Sequence, residues 1–584
     1  MVLRGVCKGI SSGRRKKLEE ANSRVVNKFF LTWRIKFVIH RHANQATKVQ
    51  GQKTRLLWLF YLGRRSKEMG DKPVGMTLTC YRLLALQKWK TGAWLYRVLT
   101  LIIALFFLAA TRPAAAVPDD GSVAEDDQRQ FENSPAPTES WISKLPKSSY
   151  EVNDSIAHLL GVQLPSWAPK LLGLQFTGIY QNMPSFHSPY QGDNSLRFDH
   201  GLGQAFTHTY GIYFGSQITN NLQAYCDVEM FLGDGISHGL GLGGYVNGDF
   251  IRAGPANLAQ VPYLARLYLR YLIPLSEERA EPAEPGMDQL PSRDPTSRIE
   301  MKFGRFTLTD DMDLNRYANN QRTQFLNYAF FFNPAWDYAS DTRGYSQGVT
   351  LSLVKPIWRL TFGYFQINTI ANGIDLDWRI GKTGGYNLEL AIKPNKFGTV
   401  LRFLGYYNQG NMGRYRDALD IAAEHSKTPN VIVLDEEIHR KYGCGINLEQ
   451  PLADNGETGL FARAGWSDGN TTTWSYAEAD RHLSVGAQVS GVHWRRAEDR
   501  FGVAFGVQGI SDLHKRYLAE GGMGMLVGDG KLRYGLEQVL ETYYRVQLGR
   551  YIQISPDFQY IWNPGYNRDR GPAQVYGLRI HLSY

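Results

Sequence analysis

The ten residues Leu222-Gln-Ala-Tyr-Cys-Asp-Val-Glu-Met-Phe231 put Leu222, Ala224, Cys226, Val228 and Met230 on one side of an extended chain, with Gln223, Tyr225, Asp227 and Glu229 on the other. A strand of this kind has one apolar and one ionisable face. The stretch from Ala265 to Ile273 repeats it: Leu267, Leu269, Tyr271 and Ile273 oppose Arg266, Tyr268 and Arg270. Charges of opposite sign therefore occupy the polar faces of two consecutive strands. No sustained helical period interrupts the pattern from Leu172 onward.

Working outward, similar runs fall at about 172–181, 204–216, 298–306, 345–354, 357–366, 385–393, 399–407, 438–449, 458–467, 481–491, 501–510, 536–547, 551–561 and 575–584, which with the first two makes sixteen. Most are about ten residues, the length a tilted strand needs to cross a bilayer. Short links such as Lys355-Pro356 alternate with long ones such as 232–260, 307–344 and 408–437. The predicted fold is all-β: a closed antiparallel transmembrane β-barrel of about 16 strands, with long extracellular loops and short periplasmic turns. A soluble sandwich also alternates, but these apolar runs end in aromatics, as in Phe206, Tyr210 and Phe214 or Trp358, Phe362 and Tyr364, the signature of membrane-interface girdles. The last run alternates Tyr576, Leu578, Ile580, Leu582 and Tyr584 with Gly577, Arg579, His581 and Ser583. It resembles the closing strand read by the outer-membrane assembly machinery, so that machinery is an expected partner through the strand ending at Tyr584. Lipid offers no hydrogen-bond partners, so a β wall in it must close on itself and leave its charges facing a wet lumen.

The chain has 584 residues, 59 of them glycine, and a formal charge of +10. That charge is uneven: residues 1–116 hold 23 Lys/Arg against 4 Asp/Glu, leaving the remainder at −9. The basic part belongs to a leader, which removes the nucleic-acid reading that a high pI invites. Val98 to Ala110 (VLTLIIALFFLAA) would span about 20 Å as a helix, short of the ~30 Å hydrocarbon core. Basic residues before it and Ala114-Ala115-Ala116 after it describe a signal peptide over 76–116, cleaved near Ala116. Residues 1–75 read as an extension from a start codon assigned too far upstream, and 117–170 as an acidic, Pro/Ser-rich linker with a short periplasmic segment; the barrel takes 171–584. Cys226 and Cys444 are too far apart for a CxxC site and read as small wall residues.

Several segments resemble the bacterial carbohydrate-selective porin family: FHSPYQGDNSL (186–196), GRFTLTDDMDLNRYANNQRTQFLN (304–327), AWDYASDTRGYSQG (335–348), NLEQPLADNGETGLFARAGWSDGN (447–470), GLEQVLETYY (535–544) and YNRDRGP (566–572). The resemblance implies a sixteen-stranded outer-membrane barrel that passes sugars passively, with loops folded inward to narrow the lumen. The SPY-G-NSL and NRDRGP segments are also similar to a subgroup regarded as manganese porins. The acidic, Pro-rich insert Ser276 to Ser297 departs from the family pattern and lengthens the link between two strands.

Asp227 and Glu229 face Arg266 and Arg270 across adjacent strands, a source of a transverse field and of donors and acceptors for sugar hydroxyls; Tyr225 and Tyr268 offer stacking faces for a pyranose. With Arg305, Asp310, Asp313 and Arg316 of the 304–327 segment they are the candidate pore-lining and constriction residues. The Asp311-x-Asp313-x-Asn315 spacing hints at calcium, but positions six and twelve hold Arg316 and Arg322 where an EF-hand needs Gly and Glu. His187, Asp199, His200 and His208 are candidate metal ligands near the first long loop, without the spacing of a dedicated site. Gly344-Tyr-Ser346-Gln-Gly348 matches a nucleophile elbow, yet an alternating strand follows it where a helix is required. The expected function is passive diffusion of carbohydrates into the periplasm, with no cofactor and no catalysis. A manganese or general small-solute porin and, more distantly, a barrel enzyme are the alternatives. The expected partners are outer-membrane lipid, lipopolysaccharide and the solute.

Overall fold

The computed structural model describes residues 171–250, 258–280, 286–474 and 477–584. The leader and linker readings, 1–75, 76–116 and 117–170, lie outside the described residues. Sixteen strands alternate their faces as the sequence does. They are β1 (Leu171–Asn182), β2 (Gln204–Thr219), β3 (Leu222–Leu232), β4 (Tyr263–Pro274), β5 (Arg298–Phe306), β6 (Ser346–Lys355), β7 (Trp358–Phe365) and β8 (Gly384–Ile392). They continue as β9 (Val400–Asn411), β10 (Ile438–Ala453), β11 (Thr458–Ser467), β12 (Arg481–Ser490), β13 (Arg500–Gly509), β14 (Glu537–Leu548), β15 (Ile552–Trp562) and β16 (Ala573–Ser583). Each pairs antiparallel with its sequence neighbours, and β1 pairs with β16 to close the barrel. The seam runs from Gln175 opposite Ser583 to Asn182 opposite Tyr576, and Leu174 and Tyr584 exchange backbone hydrogen bonds of 3.0 and 2.9 Å. Closure leaves the wall no unpaired strand edge, which is what a hydrocarbon surround demands.

The outward face is apolar and exposed, as at Leu267, Leu269, Phe303, Leu351, Leu388 and Leu483, far more contiguous apolar surface than a water-facing wall carries. Near the long-loop rim, Tyr364, Tyr386, Tyr407 and Tyr442 lie opposite one another on β7 to β10 and form an aromatic band continued by Trp466. Cys226 and Cys444 stand on this outward parity as free thiols. Among the described residues no helix is long and apolar enough to cross a membrane; the crossing is made by strands.

The interior differs from a simple wet bore. The β5–β6 loop, residues 307–345, folds into the barrel and buries Leu308, Met312, Tyr317, Phe325, Phe330 and Trp336. Tyr317, Phe325 and Phe330 pack with Phe461, Val539 and Tyr543 of the wall as one apolar cluster. Inward glycines on β11 make the room: a Cβ at Gly459 would stand 2.2 Å from the Tyr317 ring, and one at Gly465 2.1 Å from Asn333. Alternation fixes which wall residues point inward, but not how much chain enters between them. Loop helices α1 (Tyr328–Phe331), α2 (Tyr415–His425) and α3 (Asp512–Ala519) add apolar side chains from the same rim; Tyr415, Leu419, Tyr517 and Leu518 pack there with Tyr328 and Phe331.

Candidate functional site

The register between β3 and β4 sets Asp227 opposite Arg266, Tyr225 opposite Tyr268 and Gln223 opposite Arg270. A bulge at Ala265 separates Asp227–Arg266 from the next pair, Val228–Leu264. Arg266 donates through Nε and Nη2 to both oxygens of Asp310, each at 2.8 Å, while Nη1 meets Asp227 Oδ2 at 3.3 Å and Asp288 Oδ2 at 3.5 Å. The paired N–H fork of arginine suits the Asp310 carboxylate. Asp310 comes from the first turn of the loop, where the Thr307 hydroxyl accepts the Thr309 N–H.

Glu229, one pair nearer the long-loop rim, is a hub. It accepts Arg322 Nη1 at 3.0 Å, Tyr213 Oη at 3.0 Å, Tyr263 Oη at 3.3 Å and Tyr345 Oη at 2.5 Å. Arg322 also reaches Asp249 at 3.1 Å, on the β3–β4 loop. Burial opposes the charge of Arg322, but Asp249 and Glu229 hold its pKa well above the ordinary value. Burial pushes the Asp249 carboxyl up in turn, against the pull of Arg322 and the Thr209 hydroxyl.

These two charged knots face a cavity of ≈ 290 Å³. That is close to the lower end of small-molecule sites, roughly 300–1,000 Å³. Glu229, Arg266, Asp310 and Arg322 line it, with Asp288 and Arg343. Its other face is aromatic: Phe231, Tyr245, Phe250, Tyr263, Phe331 and Tyr345 border the same space. Planar apolar faces opposite a field of donors and acceptors complement a pyranose, which has C–H faces and an equatorial rim of hydroxyls.

The other residues singled out from the sequence sit elsewhere. Tyr225 and Tyr268 do face inward, but they stack on each other at 4.9 Å and are covered by Leu290, so neither offers a face to a solute. Arg270 is held by Gln223 at 2.9 Å, Glu300 at 3.0 Å and Asp294, beneath the β4–β5 turn and outside the cavity lining. Arg305 has the strand parity of the exposed Met301 and Phe303, and its guanidinium turns to Asp341 at 2.6 Å to tie the loop end to the rim. Asp313 crosses to the far wall, where Arg463 meets it at 3.1 Å and Asn447 at 2.7 Å. Arg316 pairs with Glu457 at 2.6 Å in the short β10–β11 turn. These last two anchor the loop rather than face the solute space.

His200 lies 3.6 Å from Asp199 but is otherwise exposed, Asp199 is bound to Arg197 at 3.0 Å, and His187 contributes its carbonyl to the Gly571 N–H. His208 stacks on Phe206 at 5.2 Å. Among the described residues no three His, Cys, Asp or Glu side chains converge as metal ligands. Ser346 opens β6 and its hydroxyl donates to the Gln366 carbonyl at 2.6 Å, without the helix a nucleophile elbow needs.

The residues singled out from the sequence do not include Asp249, Asp288, Tyr263 or the aromatics of the loop, and take in Arg322 only as part of the 304–327 segment. One signal was present: Tyr328-Ala-Phe-Phe-Phe332, followed by Trp336 and Tyr338, is an aromatic density outside any strand. Asp288 carries no such mark.

Residues 275–584 match the model of the carbohydrate-selective porin, OprB family. Among curated proteins, porin AaxA of Chlamydia abortus is 23% identical over 293 residues, covering 50% of this chain and 55% of that protein. Porin AaxA of Chlamydia caviae is 25% identical over 292 residues, covering 49% and 54%. The chain spans about half the length of the curated relatives it matches. A solved structure described as the high pH structure of Pseudomonas putida OprB superposes with a TM-score of 0.53 at 16% identity, covering 75% of this chain and 99% of that one. At that identity the likeness establishes the fold.

Proposed function

The chain belongs to the carbohydrate-selective porin, OprB family, an outer-membrane β-barrel, and from that premise we propose that it lets carbohydrates diffuse passively into the periplasm through the cavity between β3, β4 and the β5–β6 loop. The observation that carries this reading is the pairing of two charged knots with an aromatic face inside a closed barrel. Arg266 and Arg322, each held rigid by more than one carboxylate, present fixed donors to sugar hydroxyls at little reorganisation cost. Carboxylate oxygens accept from those hydroxyls, and the aromatic rings cover the C–H faces. Weak, multi-point binding of this kind lets solute enter and leave, as conduction requires. Solute moves down its own gradient, so the reading needs no cofactor, energy source or catalytic group.

Outer-membrane lipid surrounds the outward face, and the strand ending at Tyr584 is the element the assembly machinery would read. Single-channel conductance in planar bilayers, titrated with mono- and oligosaccharides, tests the reading. Sugar block is expected for the wild type and weaker block for R266A. D512N, on the exposed side of α3 and outside the cavity, is expected to keep sugar block unchanged. Block that is absent in the wild type, or a saturable manganese current in its place, overturns the carbohydrate assignment.

A further inference from the structure

The short-turn rim carries one long connection, residues 275–297 between β4 and β5, whereas β2–β3 is joined by 220–221 and β6–β7 by 356–357. Its two ends run together as a ribbon: Leu275 N–H donates to Ser297 O at 2.8 Å, Ala280 N–H to Asp294 O at 2.9 Å and Thr296 N–H to Glu278 O at 2.9 Å. Of its described residues, Met287, Asp288 and Leu290 reach into the bore. Leu290 is buried with Tyr225 and Tyr268, and its N–H donates to Tyr225 Oη at 3.4 Å. The turn lies against wall glycines: a Cβ at Gly173 would be in ordinary contact with Met287 at 3.6 Å, and one at Gly215 with Leu290 at 3.4 Å. Asp294 locks the base of the ribbon to Arg270.

We propose that this turn is a selectivity element, which carries Asp288 into the bore as a third carboxylate on Arg266, so that the inner end of the cavity prefers cationic and neutral solutes over anions. The proposal rests on the channel reading above and deepens it. Arg266 supplies one positive charge, and Asp310, Asp227 and Asp288 surround it at 2.8, 3.3 and 3.5 Å. Its Nε and one N–H of Nη2 go to Asp310, and Nη1 meets the other two carboxylates. Asp227 has no exposed side-chain surface, yet its Oδ1 takes no hydrogen bond, and Asp288 Oδ1 is likewise buried without a partner. One guanidinium thus faces three carboxyl groups, two of which keep a buried oxygen that no donor reaches.

The adjoining knot does not reverse the balance, because Arg322 is itself met by both Glu229 and Asp249. Arg343, lying on the Tyr263 ring at 4.2 Å, offsets one charge on the same cavity. Asp288 is the most solvent-exposed carboxylate of the Arg266 group, at 32% against 20% for Asp310 and 0% for Asp227, so a passing ion meets it first. A charge at a narrow, low-dielectric waist acts on permeant ions much as the charged rings of other channels do.

The test is the reversal potential of reconstituted channels across a potassium chloride gradient, with neutral-sugar influx into liposomes measured on the same preparations. The wild type is expected to favour potassium over chloride. D288N, which keeps the side-chain shape, should lower the potassium-to-chloride permeability ratio roughly twofold or more at 0.1 M salt, and less at 1 M, where the screening length falls from about 10 to 3 Å. D288K should move the ratio further in the same direction, and D512N, on the fully exposed side of α3, should leave it where it was. Heat-modifiable gel migration checks that each variant carries a closed barrel. Sugar influx that persists with the same ion ratio in wild type, D288N and D288K overturns the role of Asp288 alone. Wild-type preparations with neither ion conductance nor sugar influx overturn the channel reading, and this inference with it.

Discussion

Truncating Asp313 to alanine isolates what holds the β5–β6 loop across the barrel interior. The Asp313 carboxylate accepts Arg463 Nε at 3.1 Å, Asn447 Nδ2 at 2.7 Å and the Asn333 N–H at 2.9 Å. Both partners of the ion pair are buried, with side-chain exposures of 0% for Arg463 and 4% for Asp313. Without the carboxylate the guanidinium retains carbonyl acceptors, Phe330 O and Asp313 O, but no opposite charge in contact. Removing one member of such a pair costs about 3–5 kcal/mol, because the survivor stays buried and uncompensated. Other anchors limit the damage to this segment: Leu326 and Asn327 remain bound to Glu541, and Arg579 still donates to the Gln321 and Gln324 carbonyls. At ~1.4 kcal/mol per decade, the lower figure raises the local opening constant about 100-fold. Amide hydrogen exchange in micelles reads this directly: peptides spanning 311–335 of D313A should exchange about two decades faster, and peptides of β1 and β16 at the wild-type rate. The double variant D313A/R463M removes both charges and should recover most of the protection. Protection in D313A within threefold of wild type, or a double variant less protected than D313A, would falsify the view that this ion pair fastens the loop.

The β9–β10 loop offers a pH test: burial pushes the Asp435 carboxyl up to about 7, against the stabilising Gly413 N–H. The folded state then binds the proton more tightly than the unfolded one, so stability falls as pH rises from about 4 to 7 and levels off above, by at most about 4 kcal/mol. Exchange protection of 412–437 should therefore be higher at pH 5 than at pH 8, and D435N should abolish the difference. The close approach at β11 predicts that G465A, whose Cβ would stand 2.1 Å from Asn333, loosens the loop by roughly 1–3 kcal/mol, seen as faster proteolysis of 307–345 in the folded barrel. Cys444 is exposed on the outward parity of β10, so in proteoliposomes a lipid-soluble maleimide should label it while a charged, impermeant one should not; equal labelling would place that face in water.

The wall was legible because strand geometry ties the direction of each side chain to its sequence parity. Asp227, Glu229 and Arg266 point inward in the structure for the reason they alternate with Val228 and Leu267 in the sequence. The barrel count and the β3–β4 neighbourhood follow from the same period, and hydrogen-bonding of the seam needs only that the wall close. Parity lapses where the strand ends. Arg305 has outward parity, yet lies close enough to the rim for its long side chain to swing to Asp341. Asp313 and Arg316 belong to a run dense in oxygen and nitrogen groups, and composition alone does not say whether such a run faces solute or grips the opposite wall. The distinction depends on Arg463 and Glu457, which lie 150 and 141 residues further along the chain.

The β4–β5 turn shows most clearly why a pore is harder to read than its wall. From sequence, Tyr225 and Tyr268 are inward aromatics on adjacent strands and so natural stacking faces; in the structure they stack on each other under Leu290, a residue of an acidic, proline-rich segment that resembles a solvated loop. Covering those rings moves the aromatic face of the cavity to Tyr263, Tyr345 and Phe331, and replaces them at the inner end with a carboxylate. A barrel wall offers a fixed set of inward side chains, but rim segments decide which of them meet the solute. Selectivity can thus shift through a turn while every strand, and its register, stays as it is. That separation is why sequence alternation specifies this architecture so fully and its cargo so weakly.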